Sequence, residues 1–174
     1  MRLIKNPWLN TEGYHCFGCC PSNPIGLKMR FYEDGEDVVC LWQPSAQYQS
    51  WENTLHGGIQ SVLLDEVCGW VVSHKLRVSG VTAKMETRFR KQVEIHQEYI
   101  ELRARLREQR RNIAIVAGET RSAKGEILAE CTCTYFTFDA ASAPEQVPYN
   151  PTEVIGEELT REEVLTSLGV EKNS

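Results

Sequence analysis

One stretch decides the fold of this chain: HGGIQSVLLDEVCGWVVSHK, residues 56–75. From Ile59 to about Lys75 its apolar residues cover most of the helical circumference, which predicts a helix that is buried on several sides. Such a helix is too apolar to stand alone in water. The remainder of the chain must therefore supply the elements that cover it.

Extended segments on both sides of this helix are predicted to supply that cover. Two short ones, at 27–32 and 38–42, are joined by a turn containing Asp34-Gly35, which is typical of a β-hairpin. Four longer ones follow the helix, at 81–93, 98–107, 112–122 and 127–138. Within 98–107 apolar and charged residues alternate, as in an antiparallel strand with one buried face. The predicted fold class is α+β, with a six-stranded antiparallel sheet wrapped around one long central helix.

The two ends of the chain differ in composition from this central domain, residues 27–140. Residues 1–26 are rich in Pro, Gly, Asn and Cys without a sustained period, so we expect an irregular N-terminal arm. Residues 141–174 form an acidic C-terminal extension. In this extension Thr160, three positions before Glu163, resembles a helix N-cap. The extension is predicted to hold one short helix, either docked or mobile.

The charge distribution argues against nucleic acid and membranes as partners. The net charge is -5, and the excess lies in the extension because acidic and basic residues balance over residues 1–140. No basic surface is therefore predicted for a duplex or an anionic membrane. No apolar stretch reaches the roughly 18 residues of a membrane helix, and the N terminus lacks an apolar signal-peptide core. We expect a cytoplasmic protein.

The chain has seven cysteines, and most are expected to be free thiols in a reducing compartment. A structural zinc site would need four ligands. The candidates are an N-terminal cluster and a pair on a predicted strand: His15, Cys16, Cys19, Cys20, Cys131 and Cys133. A packed or loop-forming role is favoured for these cysteines, and no metal ligand is predicted.

The start of the central helix and a carboxylate inside it are the candidate catalytic groups. Gly57-Gly58 precede the apolar run, as expected where a backbone approaches a ligand, and the free N–H groups of a helix start can stabilise an oxyanion. The alternative is an ordinary turn. Asp65, two turns further on, has apolar neighbours and so requires hydrogen-bond partners or a catalytic use. Because a cationic imidazole is disfavoured at this helix end, His56 is interpreted as an orienting group or a loop histidine bonded to backbone.

A stripe of small residues runs along the same helix face as Asp65. Ser61, Gly69 and Ser73 lie at intervals of four residues from it. The stripe could receive a slender ligand such as a pantetheine arm, a second copy of the helix, or water. Glu66 points about 100° away, and a solvated or salt-bridged role is its default interpretation. Aromatic residues are candidates for lining a pocket: Tyr48, Trp51 and Trp70.

Between Cys16 and Phe138 four motifs occur in order: Cys16-Phe17-Gly18-Cys19, Asn23-Pro24-Ile25-Gly26-Leu27, His56-Gly57-Gly58 with Asp65, and Thr82 with Met85, Arg88 and Phe89. Each motif alone is weak. Their order and spacing together resemble the hotdog-fold acyl-CoA thioesterases of the phenylacetate-degradation type.

The resemblance implies hydrolysis of an acyl-CoA thioester by a homodimer, often paired into tetramers, with the active site between two subunits. Asp65 would be the general base or the nucleophile, and the N–H groups of Gly57 and Gly58 would polarise the thioester carbonyl. His56 and Thr82 would orient substrate or water. Neither a metal nor an organic cofactor would be needed.

One position departs from the family pattern. Some relatives carry Asn or Gln six residues before the histidine, whereas this chain has Ser50 there, with Gln49 and Asn53 nearby. We take Asn53 as the candidate polar helper. The candidate substrate-binding residues are Tyr48, Trp51, Asn53, Ser61 and Gly69.

Three other functions fit parts of the same pattern. A hotdog protein could bind acyl-CoA without turnover. A hotdog hydratase or dehydratase would use His56 and Asp65 for proton transfer at carbon, although the Gly-Gly spacing favours the thioesterase. A zinc-bearing interaction module is the third alternative.

Overall fold

The computed structural model describes residues 1–139 and 141–170. At its centre lies α1, Gly57–Val71, which continues into a π-helical turn, Val72–Leu76. The helix ends at Arg77, whose backbone is left-handed. Five side chains of α1 are completely buried: Leu63, Leu64, Val67, Cys68 and Val71. The long buried helix predicted from the sequence is thereby confirmed.

One antiparallel sheet packs against α1. Its strands are β1 (Arg2–Lys5), β2 (Tyr32–Asp34), β3 (Asp37–Trp42), β4 (Ser79–Phe89), β5 (Ile100–Arg110), β6 (Ile113–Ser122), β7 (Ile127–Phe138) and β8 (Glu153–Ile155). Their spatial order is β4-β7-β6-β5-β3-β2-β1-β8. The α+β class and the sheet around one central helix are confirmed, but the sheet has eight strands rather than six because two short ones, β1 and β8, extend its far edge.

Alternation along β5 separates the two faces of the sheet. Ile100, Leu102 and Ala104 belong to the main core together with the apolar side of α1. Arg103, on the opposite face, bonds the carboxylates of Glu101 and Asp37. The period of two predicted for this segment therefore describes the real faces of the strand.

The first predicted strand, at 27–32, is largely absent, and only its last residue belongs to β2. Lys28 has φ 55°, which an extended strand does not tolerate. The backbone on either side of it bonds elsewhere: the Leu27 N–H donates to Phe17 O and the Met29 N–H to Gly18 O. This segment is held by the N-terminal arm, a tertiary contact that local pattern does not reveal.

The N-terminal arm, residues 1–26, is not irregular throughout. Its β1 pairs with β2 on one side and with β8 on the other. Four residues with one buried side chain, Ile4, produce no recognisable period. Pairing with distant segments, rather than local sequence, makes them a strand.

The C-terminal extension is docked on the outer face of the sheet. Its helix α2, Arg161–Ser167, begins with a capping box between Thr160 and Glu163, as its sequence predicted. Val164 of α2 is completely buried in a second, smaller core, where it meets Tyr32, Val39, Leu41 and Tyr99. The predicted central domain and extension also include residues 140 and 171–174, which lie outside the described residues. None of the described helices is both long enough and apolar enough to cross a membrane.

Candidate active site

The carboxylate of Asp65 lies between α1 and the edge of the sheet. Its Oδ1 accepts a hydrogen bond of 2.9 Å from Thr82 Oγ1 and lies 3.2 Å from the Tyr135 hydroxyl. That hydroxyl is also 2.9 Å from the Asp65 backbone oxygen, so one phenolic proton is shared between two acceptors. Sequence reasoning selected Asp65 and Thr82 but missed Tyr135, which lies within the predicted strand 127–138 and was not singled out there.

The two donors to Asp65 are cross-strand neighbours. Thr82 of β4 pairs with Tyr135 of β7, and the register of these strands shifts between Thr82 and Lys84. A β-bulge at this point changes which face the following side chains occupy. The bulge allows Thr82 to face Asp65 while Met85, further along, still packs against the main core.

The environment makes Asp65 more basic than an exposed aspartate. Burial raises its pKa, while the hydrogen bonds from Thr82 and Tyr135 act in the opposite direction without cancelling the effect. A carboxylate with a raised pKa holds a proton more tightly and is a better general base.

At the helix start, His56 is the N-cap of α1. Its Nδ1 accepts a 2.9 Å hydrogen bond from the Gly58 N–H, so in the neutral ring the proton is on Nε2. This is a contact with backbone, the second of the two interpretations given for His56; a role in orienting substrate or water stays a prediction. The Gly58 N–H is therefore already bonded, whereas no hydrogen bond among the described residues uses the Gly57 N–H. Of the two predicted oxyanion donors, Gly57 is the one left available.

The two glycines differ in what a side chain would meet. A Cβ on Gly57 would lie 3.6 Å from the Phe89 ring, an ordinary contact, whereas one on Gly58 would lie 3.1 Å from His56 Nδ1. A side chain at position 58 would thus press on the cap.

We expect the Gly58→Ala variant to have a lower Tm than the Gly57→Ala variant, because only the first substitution perturbs the His56 cap. Loss of a cap costs about 1 kcal/mol, which for a chain of this size corresponds to a Tm difference of roughly 2–4 °C. Differential scanning calorimetry of both variants measures it. Equal Tm values would show that the cap tolerates the added methyl group.

The remaining predicted residues on α1 are engaged with the protein itself. Ser61 Oγ donates to Gly57 O at 3.1 Å. A Cβ on Gly69 would meet the Tyr135 hydroxyl at 3.7 Å, so that hydroxyl lies in the space beside this glycine. Trp70 is buried and stacks on Phe31, with ring centroids 4.5 Å apart.

The three candidate residues in the loop before α1 lie in different environments. The Tyr48 hydroxyl donates to Gly26 O at 3.2 Å and its ring packs against Trp42, which makes it a structural residue. Trp51 is 83% exposed and is free to meet a ligand or a partner. Asn53 has φ 52°, and its Oδ1 is buried without a hydrogen-bond partner within the described residues.

Glu66 departs from its default interpretation as a solvated or salt-bridged residue. Its carboxylate oxygens lie 3.6 and 3.7 Å from Cys16 Sγ, and Oε1 accepts from Trp70 Nε1 at 3.4 Å. Burial raises the pKa of Glu66 to about 7, while a hydrogen bond from Cys19 lowers that of Cys16 to about 5. The contact joins residues that are fifty positions apart, so no local pattern signals it.

All seven cysteines are free thiols. The zinc ligand set considered from the sequence is not assembled, because Cys131 and Cys133 group with Cys68 instead. Cys131 Sγ lies 3.7 Å from Cys68 Sγ and 3.8 Å from Cys133 Sγ. The N-terminal cysteines form a separate group with Glu66.

The family model described as Thioesterase superfamily matches residues 52–129, the range that holds His56, Asp65 and Thr82. No curated protein matches the chain by sequence. The model covers the superfamily as a whole, so membership of the phenylacetate-degradation type stays a prediction.

Solved structures share the fold at low identity. A protein described as a thioesterase superfamily protein is 21% identical, with a TM-score of 0.66; the match covers 70% of this chain and 62% of that one. A hypothetical thioesterase with coenzyme A from Streptococcus pneumoniae TIGR4 is 19% identical, with a TM-score of 0.59. The match covers 64% of this chain and 89% of that one. The protein smu.793 from Streptococcus mutans UA159, bound to acetyl CoA, is 17% identical, with a TM-score of 0.57. That match covers 64% of this chain and 89% of that one. The chain has the hotdog fold, and its residues 52–129 match the thioesterase superfamily model.

Proposed function

We propose that this protein hydrolyses an acyl-CoA thioester to the free acid and coenzyme A. The observation that carries the proposal is a half-buried carboxylate, Asp65, whose pKa is raised and whose position is held by Thr82 and Tyr135. The superfamily match over residues 52–129 supports it, as do the coenzyme A and acetyl CoA bound to two proteins of the same fold.

In the proposed reaction Asp65 either removes a proton from the attacking water or attacks the thioester carbonyl itself. Negative charge then develops on the carbonyl oxygen, where the free N–H of Gly57 and the positive end of the α1 dipole stabilise it. Collapse of the tetrahedral intermediate breaks the carbon–sulfur bond and releases the thiol. If Asp65 is the nucleophile, its carboxylate and the acyl group form a mixed anhydride, which water then hydrolyses to the free acid and the regenerated Asp65.

Within one subunit, the Gly57 N–H and the Asp65 carboxylate are too far apart to act on the same thioester. Gly57 and Asp65 are eight residues apart, or about 12 Å along the axis, whereas reacting and stabilising groups must both lie about 3 Å from the thioester. The Gly57 N–H and Asp65 can share one substrate only if they come from different subunits. We therefore propose a homodimer with two equivalent sites. A tetramer made of two such dimers would contain the same sites.

Strand β4 is the proposed dimer edge. Within the described part of the chain β4 pairs with β7 alone, and most of its side chains are exposed. A long unpaired edge is a template for another strand, and two large apolar side chains on it, Val81 and Phe89, are 40% and 52% exposed. Phe89 also lies beside Gly57, which brings this edge to the proposed oxyanion site.

The test of the proposed activity is thiol release from a panel of CoA thioesters that varies in chain length and includes aromatic acyl groups. Turnover of at least one member is expected. Saturable binding of the panel without thiol release would contradict hydrolysis and would assign the protein to ligand binding alone.

The pH dependence of thioester hydrolysis should report the ionisation of Asp65. Because the base must be ionised, kcat/KM is expected to rise with pH through an inflection above the ordinary aspartate pKa. Thr82→Val keeps the shape of the side chain but removes a hydrogen bond that lowers this pKa, so the inflection should move to higher pH. Profiles of the two proteins test this; an inflection that stays in place would remove Thr82 from contact with the base.

A further inference from the structure

A second constellation of reactive groups lies where the N-terminal arm meets α1. The sulfur atoms of Cys16 and Cys19 and a carboxylate oxygen of Glu66 all lie within 4.8 Å of one another. We call these three residues the Cys16–Cys19–Glu66 cluster. The proposed hydrolysis uses none of them, although Glu66 directly follows Asp65 in the chain.

The loop that carries the two cysteines closes tightly over the carboxylate. A Cβ on Gly18, between the cysteines, would lie 2.4 Å from Glu66 Cδ. Only glycine permits this approach, because any side chain would displace the glutamate. The Cys-x-Gly-Cys sequence is thus matched to a carboxylate on another element of the fold.

Hydrogen-bond donors converge on each member of the cluster. The backbone N–H groups of Cys19 and Gly18 help to lower the pKa of Cys16. Trp70 Nε1 donates to the Glu66 carboxylate.

Cys19 Sγ lies 3.0 Å from the Tyr14 hydroxyl. Asn6 donates to that hydroxyl at 2.8 Å, and either the hydroxyl or the thiol can be the donor between Tyr14 and Cys19. In metal sites, donors of this kind orient the ligands and favour their anionic forms.

The cluster lacks a protein cation. Among residues 1–139 and 141–170, no salt bridge involves Glu66. Two cysteine sulfurs and a carboxylate gathered without a counter-charge are costly to ionise together, so protons or a bound cation must neutralise them. Since Cys16 is only partly buried, an ion has a route to the cluster from solvent.

We propose that Cys16, Cys19 and Glu66 bind one thiophilic divalent cation, Zn²⁺ under cellular conditions. Thiolate and carboxylate are both established zinc ligands, and three protein ligands leave the fourth tetrahedral position to water. The ion joins the arm to α1 at the residue next to Asp65 and so holds the helix in register with the sheet. This site is independent of the proposed hydrolysis.

Cobalt(II) titration of the reduced, metal-free full chain tests the site, because cobalt bound to thiolate gives a charge-transfer absorption that cobalt in water lacks. One equivalent is expected to bind with this band. Cys16→Ser and Cys19→Ser should each weaken the band and lower affinity at least tenfold, and Glu66→Gln, which keeps both thiols, should lower affinity similarly. With zinc at about one hundred times its Kd, the Tm should rise by roughly 5–10 °C.

Two matched controls separate this site from other thiols. Cys20 is the next residue, but its sulfur contacts Tyr14 O and Ser22 Oγ instead of the cluster. Cys131 belongs to the other cysteine group. Cys20→Ser and Cys131→Ser should keep the cobalt band.

Three outcomes would overturn the proposal. The wild-type chain could show no thiolate band; the band could survive Cys16→Ser and vanish in Cys131→Ser; or the chain purified without reductant could contain a Cys16–Cys19 disulfide and bind no cobalt after reduction. Because Glu66→Gln is nearly isosteric, the prediction remains testable if a serine variant fails to fold.

Discussion

Replacing Asp65 with asparagine is expected to lower kcat for acyl-CoA hydrolysis by about 10²–10⁴-fold, the range for loss of a general base. The amide keeps the shape of the side chain and can still accept from Thr82 through its oxygen. It cannot take a proton from water or attack a carbonyl. Single-turnover and steady-state thiol release give kcat, and substrate titration gives KM, which should change far less because no binding contact is removed.

The fold of Asp65→Asn should remain intact. Burial raises the pKa of Asp65, so its ionised form is destabilising in the folded state. The neutral variant should therefore melt no lower than the wild-type protein. Asp34→Asn is the matched control, because Asp34 bonds Arg103 on the outer face of the sheet and should keep full kcat. A wild-type kcat in Asp65→Asn would remove Asp65 from the mechanism.

Gly57→Pro is expected to lower kcat by about 10²–10³-fold, the effect of losing one oxyanion-hole donor. Proline removes the backbone N–H, and the first helical position is where proline is best tolerated. The preceding residue, His56, has ψ 132°, which suits a following proline. Gly57→Ala is the control, because it retains the N–H and its Cβ makes only an ordinary contact with Phe89.

Mixing the two inactive variants should restore activity if each site uses Asp65 from one subunit and Gly57 from the other. A mixed dimer of Asp65→Asn and Gly57→Pro then has one site with both defects and one intact site. Random exchange makes half of the dimers mixed, so about one quarter of the wild-type activity is expected. Native mass spectrometry, with a mass tag on one of the two variants, establishes exchange. No recovery after proven exchange would place both groups within one subunit.

The site could be predicted in part because its residues carry local signals. Gly57-Gly58 before an apolar run and Asp65 within that run are recognisable without a structure, since both violate ordinary helix preferences. Tyr135 carries no such signal, because an aromatic residue in a β-strand is expected for packing alone. The commitment of the Gly58 N–H to His56 was also hidden, because it depends on the rotamer of the cap.

Sequence alone determined the elements whose residues repeat with a period. The apolar circumference of α1, the alternation along β5 and the capping box of α2 each belong to one continuous segment, so local physical preferences define them. Tertiary structure decided the contacts between distant segments: the pairing of β1 with β8, the bulge that turns Thr82 toward Asp65, and the closure of the cysteine loop over Glu66. These depend on which surfaces the folded sheet brings together, and a residue's nearest neighbours in sequence do not encode that.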